Sequence, residues 1–468
     1  MTQHLNWMSA AKLAKGFAKK KFSAVDVAKA CLAQVYAHDG ALNAMCHMDE
    51  KTTLELAEAS AKRWKKGAPL SPLDGVPVVI KDLLLTKGWP TLRGSKTISR
   101  DGPWDVDAPA VARLRESGAV FLGLSTTPEF GWKGVTDSPL TGITRNPWNP
   151  ALTPGGSSGG SAAAIAAGYA PLSLGTDGGG SIRIPAAFTG TFGLKPSFGR
   201  VPAFPLSPYG TVAHIGPMTR TVKDSAMMMN AISQPDNRDW YSPPYDDVDY
   251  AYKLKRNLKG LRVAYSATLG YAEVDPEIAT LVKHAVTVLE KLGAEVTEID
   301  PGFEDPAPIF KTLWWTGARS ALGHLPAEKK AMLDPMLADV VEQAASITAE
   351  ELTKATAARG KLGTHMRLFM QDYDVLITPS LPIPAFEVGR LQPDNADTQG
   401  KWVNWTPFTY PFNLTQQPAA SVPCGFTQSG LPAGLHVVGR MFDDRTVLRV
   451  CAAYEAETKF HKVRPKGY

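Results

Sequence analysis

Cysteine is scarce in this sequence. The 468 residues include four cysteines, at positions 31, 46, 424 and 451, and no two of them are closely spaced. This spacing excludes a small disulfide-stapled domain and does not match that of a zinc cluster. Because isolated thiols suit a reducing compartment, we predict a cytoplasmic protein that holds no metal ion and no other cofactor.

Long apolar runs and a large charge excess are also lacking. No uncharged apolar run approaches the ~18 residues that a membrane span needs. The N-terminus, MTQHLNWMSAAKLAKG, lacks the apolar core and cleavage site of a signal peptide. The 50 basic residues exceed the 45 acidic ones only slightly, without a long cationic block. We therefore expect no secretion, no membrane contact and no binding of nucleic acid.

The composition and patterning are those of a globular α/β protein, with 44% hydrophobic and 20% charged residues. Asp107 and Pro109 open a helix that precedes the strand AVFLGL, and Asp275 with Pro276 opens another before AEVTEI. This alternation predicts a sheet covered by helices, with some parallel strands. No repeat or linker interrupts the chain, so we predict one domain over residues 1–468 with a helical segment, residues 1–70, packed on it.

Cap and breaker residues predict further elements. Serine or threonine followed three residues later by an acidic residue marks a helix start, and glycine often marks a helix end. Helices are predicted from Ser23 to Gly40, from about Thr53 to Gly67, and from Thr348 to about Gln371. The β-branched runs GVPVVIKDLLL, GLRVAYS and DVLITPS predict buried strands.

Two glycine-dense loops each contain a serine. The chain reads TPGGSSGGSAAAIAAG from Thr153 and GTDGGGSIRIP from Gly175, which places Ser157 in the first loop and Ser181 in the second. The glycines at 178–180 can present successive N–H groups toward one point, as an oxyanion hole requires. Ser181, which ends this run, is therefore a candidate nucleophile.

Lys81 is the candidate base. A serine hydroxyl is a weak nucleophile until a base takes its proton, and Lys81 is the basic residue within the apolar run GVPVVIKDLLL. Burial disfavours a charged ammonium and can lower the pKa of a lysine by several units. A buried Lys81 would thus be neutral near pH 7, and Ser157 could pass the proton from Ser181 to it.

These motifs resemble those of the amidase-signature hydrolases. GGSSGGSAAAIAAG and GTDGGGSIRIPAAFTGTFGLKPSFGR match the family signature almost throughout, and the blocks LDGVPVVIKD, TRNPWNP, HIGPMTRTVKD, DYDVLITPS and SVPCGF are also similar. The similarity extends from about Leu73 to Gly439, with a signature core at about 73–220. It implies a large twisted mixed β-sheet covered on both faces by helices.

The resemblance also implies roles for individual residues. Ser181 would attack the carbonyl, Ser157 would bridge, and Lys81 would accept the proton and return it to the leaving amine. The N–H groups of Gly178, Gly179 and Gly180, with that of Ser181, would form the oxyanion hole. A cis peptide bond is implied at Gly156–Ser157. From the residues themselves we expect Asp177 and Arg183 to form an ion pair that braces this loop.

Three other functions are considered. GGSSGG fits the loose G-x-S-x-G pattern around Ser157 or Ser158, so a Ser-His-Asp esterase that uses His436 or His461 is one alternative. A second is a catalytically silent binding protein, although all three triad side chains are present.

The third alternative is the glutaminase subunit of a tRNA-dependent amidotransferase, which would bring a protein partner and tRNA. That subunit usually has threonine where Gly178 stands and glutamine where Ile184 stands. This chain also carries a longer insert around KTLWWTGARS. We therefore favour a stand-alone amidase that acts on a small-molecule amide, and leave a homodimer open.

The substrate pocket is less well defined. Gly131 and Trp132 lie in a stretch that resembles the substrate-lining segment of the family. Further aromatic residues cluster in two later stretches, namely Trp314, Trp315, Trp402, Trp405, Phe408, Tyr410 and Phe412. We expect several of them to wall an apolar site that favours aryl or alkyl amides over small polar ones, with side activity on esters or carbamates.

Overall fold

Eight of the fourteen α-helices in the described residues begin at a residue whose side chain caps the helix. Two of them start with the predicted reciprocal capping boxes, formed by Ser23 with Asp26 and by Thr348 with Glu351. The computed structural model describes residues 4–254, 257–393 and 402–468. Its α-helices are α1 (Ala10–Ala18), α2 (Ala24–Leu42), α3 (Glu50–Lys65), α4 (Pro109–Glu116), α5 (Gly159–Ala166), α6 (Arg183–Thr189), α7 (Val222–Ile232), α8 (Pro276–Lys291), α9 (Ala307–Leu322), α10 (Ala327–Lys330), α11 (Pro335–Gln343), α12 (Ala349–Phe369), α13 (Pro411–Leu414) and α14 (Asp444–Thr458).

The bounds of two N-terminal helices differ from the prediction. Helix α2 continues past Gly40 because Leu42 is fully buried, and it ends where Asn43 adopts the left-handed conformation with φ 51°. Helix α3 begins before Thr53, because the side chain of Asp49 caps it by accepting the N–H of Thr52. The end of α2 is therefore set by the burial of Leu42, and the start of α3 by a cap that the sequence signals only weakly.

The strands are short and mostly buried. They are β1 (Met45–Met48), β2 (Pro77–Lys81), β3 (Val120–Ser125), β4 (Asp137–Ser138), β5 (Gly142–Ile143), β6 (Leu172–Asp177), β7 (Phe192–Lys195), β8 (His214–Thr219), β9 (Arg262–Tyr265), β10 (Glu295–Glu298), β11 (Val375–Pro379), β12 (Ala419–Phe426) and β13 (Pro432–Gly439). Strands β4 and β5 form a separate two-stranded hairpin, and the other strands form one sheet.

The main sheet has eleven strands in the order β1-β3-β2-β6-β8-β7-β12-β13-β11-β9-β10. Strand β2 is parallel to both of its neighbours, β3 and β6, and β9 is parallel to β10 and β11. The strands between these two groups pair in antiparallel fashion. This arrangement confirms the predicted mixed α/β sheet.

Helices cover both faces of the sheet. Successive residues of one strand enter different apolar clusters: Val375 and Ile377 belong to the first, and Leu376 belongs to the second. The first cluster also contains buried residues of α2, α7, α8 and α14, and the second contains residues of α9, α11 and α12. No helix within the described ranges combines the length and apolarity that a membrane span requires.

The N-terminal helices are tied to the sheet by an ion pair whose carboxylate is buried. Arg63 of α3 donates from Nε and Nη2 to the two carboxylate oxygens of Asp74, at 2.7 and 2.6 Å, just before β2. The side chain of Asp74 is fully buried, and its carbonyl accepts the indole N–H of Trp64 at 2.9 Å. A bidentate pair of this kind fixes both the distance and the orientation of α3.

Substitution Arg63→Ala should lower the free energy of unfolding by about 2 to 3 kcal/mol, because it leaves the buried carboxylate of Asp74 without its cation. The matched control is Arg113→Ala, since the partner of Arg113, Glu116, is 59% exposed and such pairs contribute below about 1 kcal/mol. Urea denaturation followed by circular dichroism measures both. Equal losses in the two variants would show that the pair does not anchor the N-terminal helices.

Candidate active site

Lys81 lies at the centre of a cluster of hydroxyl groups. It is the last residue of β2, and the parallel neighbour β6 ends close by with Thr176 and Asp177. The Lys81 Nζ atom lies 2.6 Å from Ser157 Oγ, 2.9 Å from Ser158 Oγ and 2.9 Å from Thr176 Oγ1. The carboxyl ends of adjacent parallel strands thus present the amine to the serine loop.

The environment of Lys81 favours the neutral amine. The side chain is fully buried, and burial holds its pKa well below the ordinary value of 10.5, while the negative charge of Asp177 opposes this shift only in part. A neutral amine has two N–H donors and one lone pair, so with three hydroxyl partners one hydroxyl can donate to Nζ. Lys81 can therefore accept a proton, as a general base must.

The two glycine-rich loops meet beside this amine. Ser157 and Ser158 precede α5, Ser181 precedes α6, and the N–H of Ser158 donates to the carbonyl of Ser181 at 3.1 Å. The Gly156–Ser157 peptide bond is cis, as the resemblance implied. Ser158 is held by β6, because its Oγ donates to the carbonyl of Thr176 at 3.1 Å. The contact between the loops brings Ser157 and Ser181 to one cavity.

Asp177 organises the loop that contains Ser181. Its carboxylate accepts the N–H of Gly180 at 2.8 Å and that of Ile182 at 3.2 Å, and it pairs with Arg183 at 2.9 Å. Although burial disfavours the charged carboxylate, the charge and hydrogen bonds of Arg183 hold the pKa of Asp177 well below its ordinary value. The expected ion pair between Asp177 and Arg183 is thus present and fully buried.

The engagement of Gly180 changes the expected oxyanion hole. Its N–H is bound to Asp177, so this group is not available to a substrate oxygen. Its φ of 132° also requires glycine. Among the described residues, no backbone hydrogen bond involves the N–H of Gly178, Gly179 or Ser181. The expectation for Gly180 is therefore corrected, and the proposed donors are Gly178, Gly179 and Ser181.

The histidines do not form the alternative Ser-His-Asp arrangement. His436 is fully buried on β13, with its Nε2 atom 3.0 Å from Arg183 Nη1 and its Nδ1 atom 3.2 Å from Thr378 Oγ1. Burial holds the pKa of His436 well below its ordinary value, so the ring is neutral and accepts from Arg183. His461 lies in a C-terminal turn, residues Phe460–Lys462. The hydroxyl of Ser158 instead contacts Lys81 and Thr176.

The two candidate serines, Ser157 and Ser181, border a largely apolar cavity of about 260 Å³. Ser157, Thr176, Gly178 and Ser181 lie on its wall, together with Gly131, as the sequence predicted for Gly131. The aromatic lining consists of Phe130, Phe198, Phe204, Tyr209, Trp240, Tyr241 and Trp314. Aliphatic side chains such as Leu83, Val201, Leu206 and Ile215 complete the wall. A hydrophobic ligand group would fit these surroundings.

The prediction of pocket aromatics was correct for Trp314 only. Trp402, Trp405, Phe408, Tyr410 and Phe412 are buried in the second apolar cluster, and Trp315 packs against that cluster. Trp132 does not line the cavity either: its side chain is 1% exposed, and its carbonyl accepts the indole N–H of Trp314 at 3.0 Å. The expectation of a substrate contact is thereby corrected, since Trp132 supports a lining residue from behind.

The sequence analysis missed most of the lining. Lining residues between 201 and 213, with Trp240 and Tyr241, lie outside the blocks that resemble the family and carry no recognisable motif. Thr176 was also missed, although it adjoins the glycine loop, because its contact with Lys81 depends on β2 and β6 being neighbours. The described residues contain no group of three or more His, Cys, Asp or Glu side chains that could hold a metal ion.

Gly178 makes room for Trp314. A Cβ atom at position 178 would lie 2.6 Å from the Trp314 ring. That ring is held in place, because it stacks on Tyr209 with centroids 3.7 Å apart and on Phe310 with centroids 5.3 Å apart. Trp314 lies in α9, within the insert KTLWWTGARS. The Trp314 ring can therefore occupy this position because residue 178 has no side chain.

Known proteins match this chain along nearly its whole length. A family model described as Amidase matches residues 26–448. The chain is 38% identical over 470 residues to an acylamidase of Rhodococcus erythropolis, covering 99% of this chain and 98% of that protein. It is 35% identical over 473 residues to a subunit of the glutamyl-tRNA(Gln) amidotransferase of Chloroflexus aurantiacus, covering 95% of each protein.

Solved structures match equally well. A bacterial aryl acylamidase of the amidase-signature family superposes with a TM-score of 0.90 at 30% identity, covering 99% of each chain. A 6-aminohexanoate cyclic dimer hydrolase in complex with its substrate superposes with a TM-score of 0.89 at 27% identity, covering 98% of this chain and 99% of that one. The protein is an enzyme that hydrolyses carbon–nitrogen bonds of amides. It belongs to the amidase-signature family.

Substitution Gly178→Thr should lower kcat/KM for an aryl amide by about 10²-fold, because the new side chain would displace Trp314 or the glycine loop. Adding Trp314→Ala should restore part of the loss, since the two positions compete for one space. Gly360→Thr on α12 is the control, because no atom lies within 4 Å of a Cβ built there. Additive losses in the double variant would contradict the proposed steric coupling.

Proposed function

We propose that this enzyme hydrolyses a carboxylic amide with an apolar aryl or alkyl group to an acid and an amine or ammonia. The reaction would pass through an acyl-enzyme on Ser181. The observation that carries this proposal is the 2.6 Å contact between the buried amine of Lys81 and Ser157 Oγ. Ser157 and Ser181 lie on the wall of the same cavity. No cofactor is needed for this chemistry.

The proton would travel along the two serines. As Ser181 Oγ attacks the amide carbonyl, its proton passes to Ser157, and Ser157 gives its own proton to the neutral amine of Lys81. The negative oxygen of the tetrahedral intermediate would accept the N–H groups of Gly178, Gly179 and Ser181, and one such donor contributes roughly 10²-fold in rate. Return of the proton through Ser157 releases the amine, and water then repeats the sequence on the acyl-enzyme.

The cavity and the relatives support an apolar amide. Aromatic and aliphatic side chains form most of the wall, so an apolar acyl or aryl group would be removed from water on binding. Acylamidase and aryl acylamidase are the names of two full-length matches. The same acyl-enzyme chemistry would cleave activated esters and carbamates, because only the leaving group differs. Activity on esters would therefore not identify the natural substrate.

A glutaminase subunit is the second candidate, because a 35% identical relative belongs to a glutamyl-tRNA(Gln) amidotransferase. The geometry of Gly178 argues against it. Such subunits usually have threonine at this position, and here a larger residue would collide with the Trp314 ring. We therefore favour the stand-alone amidase, with a small-molecule substrate.

A fluorophosphonate should label Ser181 in the wild type. In Lys81→Ala the second-order labelling rate should fall by at least about 10²-fold, because the relay then has no base. The control Lys96→Ala removes an exposed lysine outside the cavity and should leave the rate unchanged. Mass spectrometry of the modified peptide identifies the serine. Label on Ser158 would point to a different nucleophile, and absence of label to a silent binding protein.

The pH dependence of the same labelling rate tests the state of Lys81. Burial lowers its pKa, so the neutral form is present above that pKa and is lost as pH falls through it. The rate should therefore rise with pH and reach a plateau below the ordinary lysine pKa of 10.5. A rate that is constant from acid to alkaline pH would show that Lys81 is not the base.

A substrate comparison separates the two candidate functions. We expect kcat/KM for an alkyl anilide to exceed that for L-glutamine by at least about tenfold, because burial of each methylene contributes about 0.8 kcal/mol. Release of aniline and of ammonia measures the two reactions. A preference for glutamine would favour the amidotransferase function and would end the proposal of an apolar amide.

A further inference from the structure

Arg93 is a cation on the wall of the active-site cavity that the proposed mechanism does not use. Its backbone is left-handed, with φ 56°, and its carbonyl accepts the N–H of Phe130 at 2.8 Å. The next residue after Phe130 is Gly131, where an added Cβ would lie 3.2 Å from Ser157 Oγ. The backbone of Arg93 is therefore attached to the segment that touches the serine relay.

The guanidinium has no acceptor within the described parts of the chain. Neither a side-chain hydrogen bond nor an ion pair within 4.0 Å joins Arg93 to any described residue. Asp82 is the negative group that acts on it, but Asp82 accepts the N–H groups of Leu92 at 2.8 Å and Gly94 at 3.0 Å. The guanidinium thus presents five N–H donors at the cavity wall without an acceptor, and an anion beside them would be stabilised by its charge and by hydrogen bonds.

The other ionisable groups of the described lining are not cations that could bind an anion. Asp239 lies on the wall, but its two carboxylate oxygens accept the N–H groups of Ala203 and Tyr241. His214 is buried, and burial holds its pKa well below the ordinary value, so its ring is neutral. Arg93 is thus the cation of the described lining that is free to meet a charged substrate group.

We propose that Arg93 binds a carboxylate carried by the substrate, so that the preferred amide is an anionic one whose remaining surface is apolar. This inference rests on the proposed amide hydrolysis and specifies its substrate class. The planar fork of arginine matches the two oxygens of a carboxylate, and the apolar surroundings strengthen such a pair. The carboxylate can lie on the acyl side or on the amine side of the scissile bond.

Two pairs of substrates distinguish these sides. For the acyl side, succinanilic acid is compared with levulinanilide, in which a methyl ketone replaces the carboxylate. For the amine side, para-acetamidobenzoate is compared with para-acetamidoacetophenone. The measured quantity is the ratio of kcat/KM for the anionic member to that for the neutral member. The neutral ketones cannot be cleaved as esters, so each ratio reports amide hydrolysis alone.

The wild type should favour the anionic member on one side. In Arg93→Met that ratio should fall by at least about tenfold, because hydrogen bonds to charged groups are lost. Arg93→Lys, which keeps the charge but loses the fork, should give an intermediate ratio. Arg100→Met is the matched control: Arg100 is an exposed arginine of the same connecting segment outside this cavity, and its removal should leave the ratio unchanged.

The outcomes separate this inference from the proposed function. An equal ratio in the wild type and Arg93→Met, or no anionic preference on either side, overturns the carboxylate site even where neutral anilides are hydrolysed. Failure to hydrolyse any of the four amides, together with absence of fluorophosphonate label, would instead overturn the proposed function. If Arg93→Met does not fold, as judged by circular dichroism, the wild-type preference and the ratio in Arg93→Lys decide.

Discussion

The site depends on one constraint, which is that the amine of Lys81 is buried without a full ionic partner. Three hydroxyl groups surround it, from Ser157, Ser158 and Thr176, and none of them carries a charge. Burial therefore lowers the pKa of Lys81 and favours the neutral amine, which costs less to bury than an ammonium. The sheet contributes to this burial, because β2 ends between two parallel neighbours and Lys81, its last residue, is fully buried there.

The buried ion pair of Asp177 and Arg183 shapes the loop that contains Ser181. Asp177 is the residue after Thr176, yet its carboxylate lies in a different environment, because Arg183 neutralises it in the core. By accepting the N–H of Gly180, Asp177 folds the loop so that Ser181 reaches the cavity. Two neighbouring residues at the end of β6 therefore contact different groups. Thr176 contacts the amine of Lys81, and Asp177 pairs with the buried guanidinium of Arg183.

The side chains proposed to select the substrate come from parts of the chain outside the two serine loops. Trp314 reaches the cavity from α9, supported by the carbonyl of Trp132, and fills the space left by Gly178. The aromatic wall from residues 198–215 and the cation of Arg93 complete an amphiphilic surface. The groups proposed to react and those proposed to select the substrate thus come from different segments, an arrangement that allows one chemistry to be combined with different pockets on one fold.

The local sequence was sufficient for the α/β class and for the starts of α2, α4, α8 and α12, and it singled out Lys81, Ser157 and Ser181 as candidates, because caps, glycine runs and a lysine in an apolar strand are local signals. Tertiary structure decided the contacts that depend on which segments of the chain lie side by side. Thr176 contacts Lys81 only because β2 pairs with β6, the N–H of Gly180 is taken by Asp177, and Trp314 lines the cavity while Trp132 lies behind it. An aromatic residue has the same sequence signal in a core and in a pocket, so packing alone separates the two.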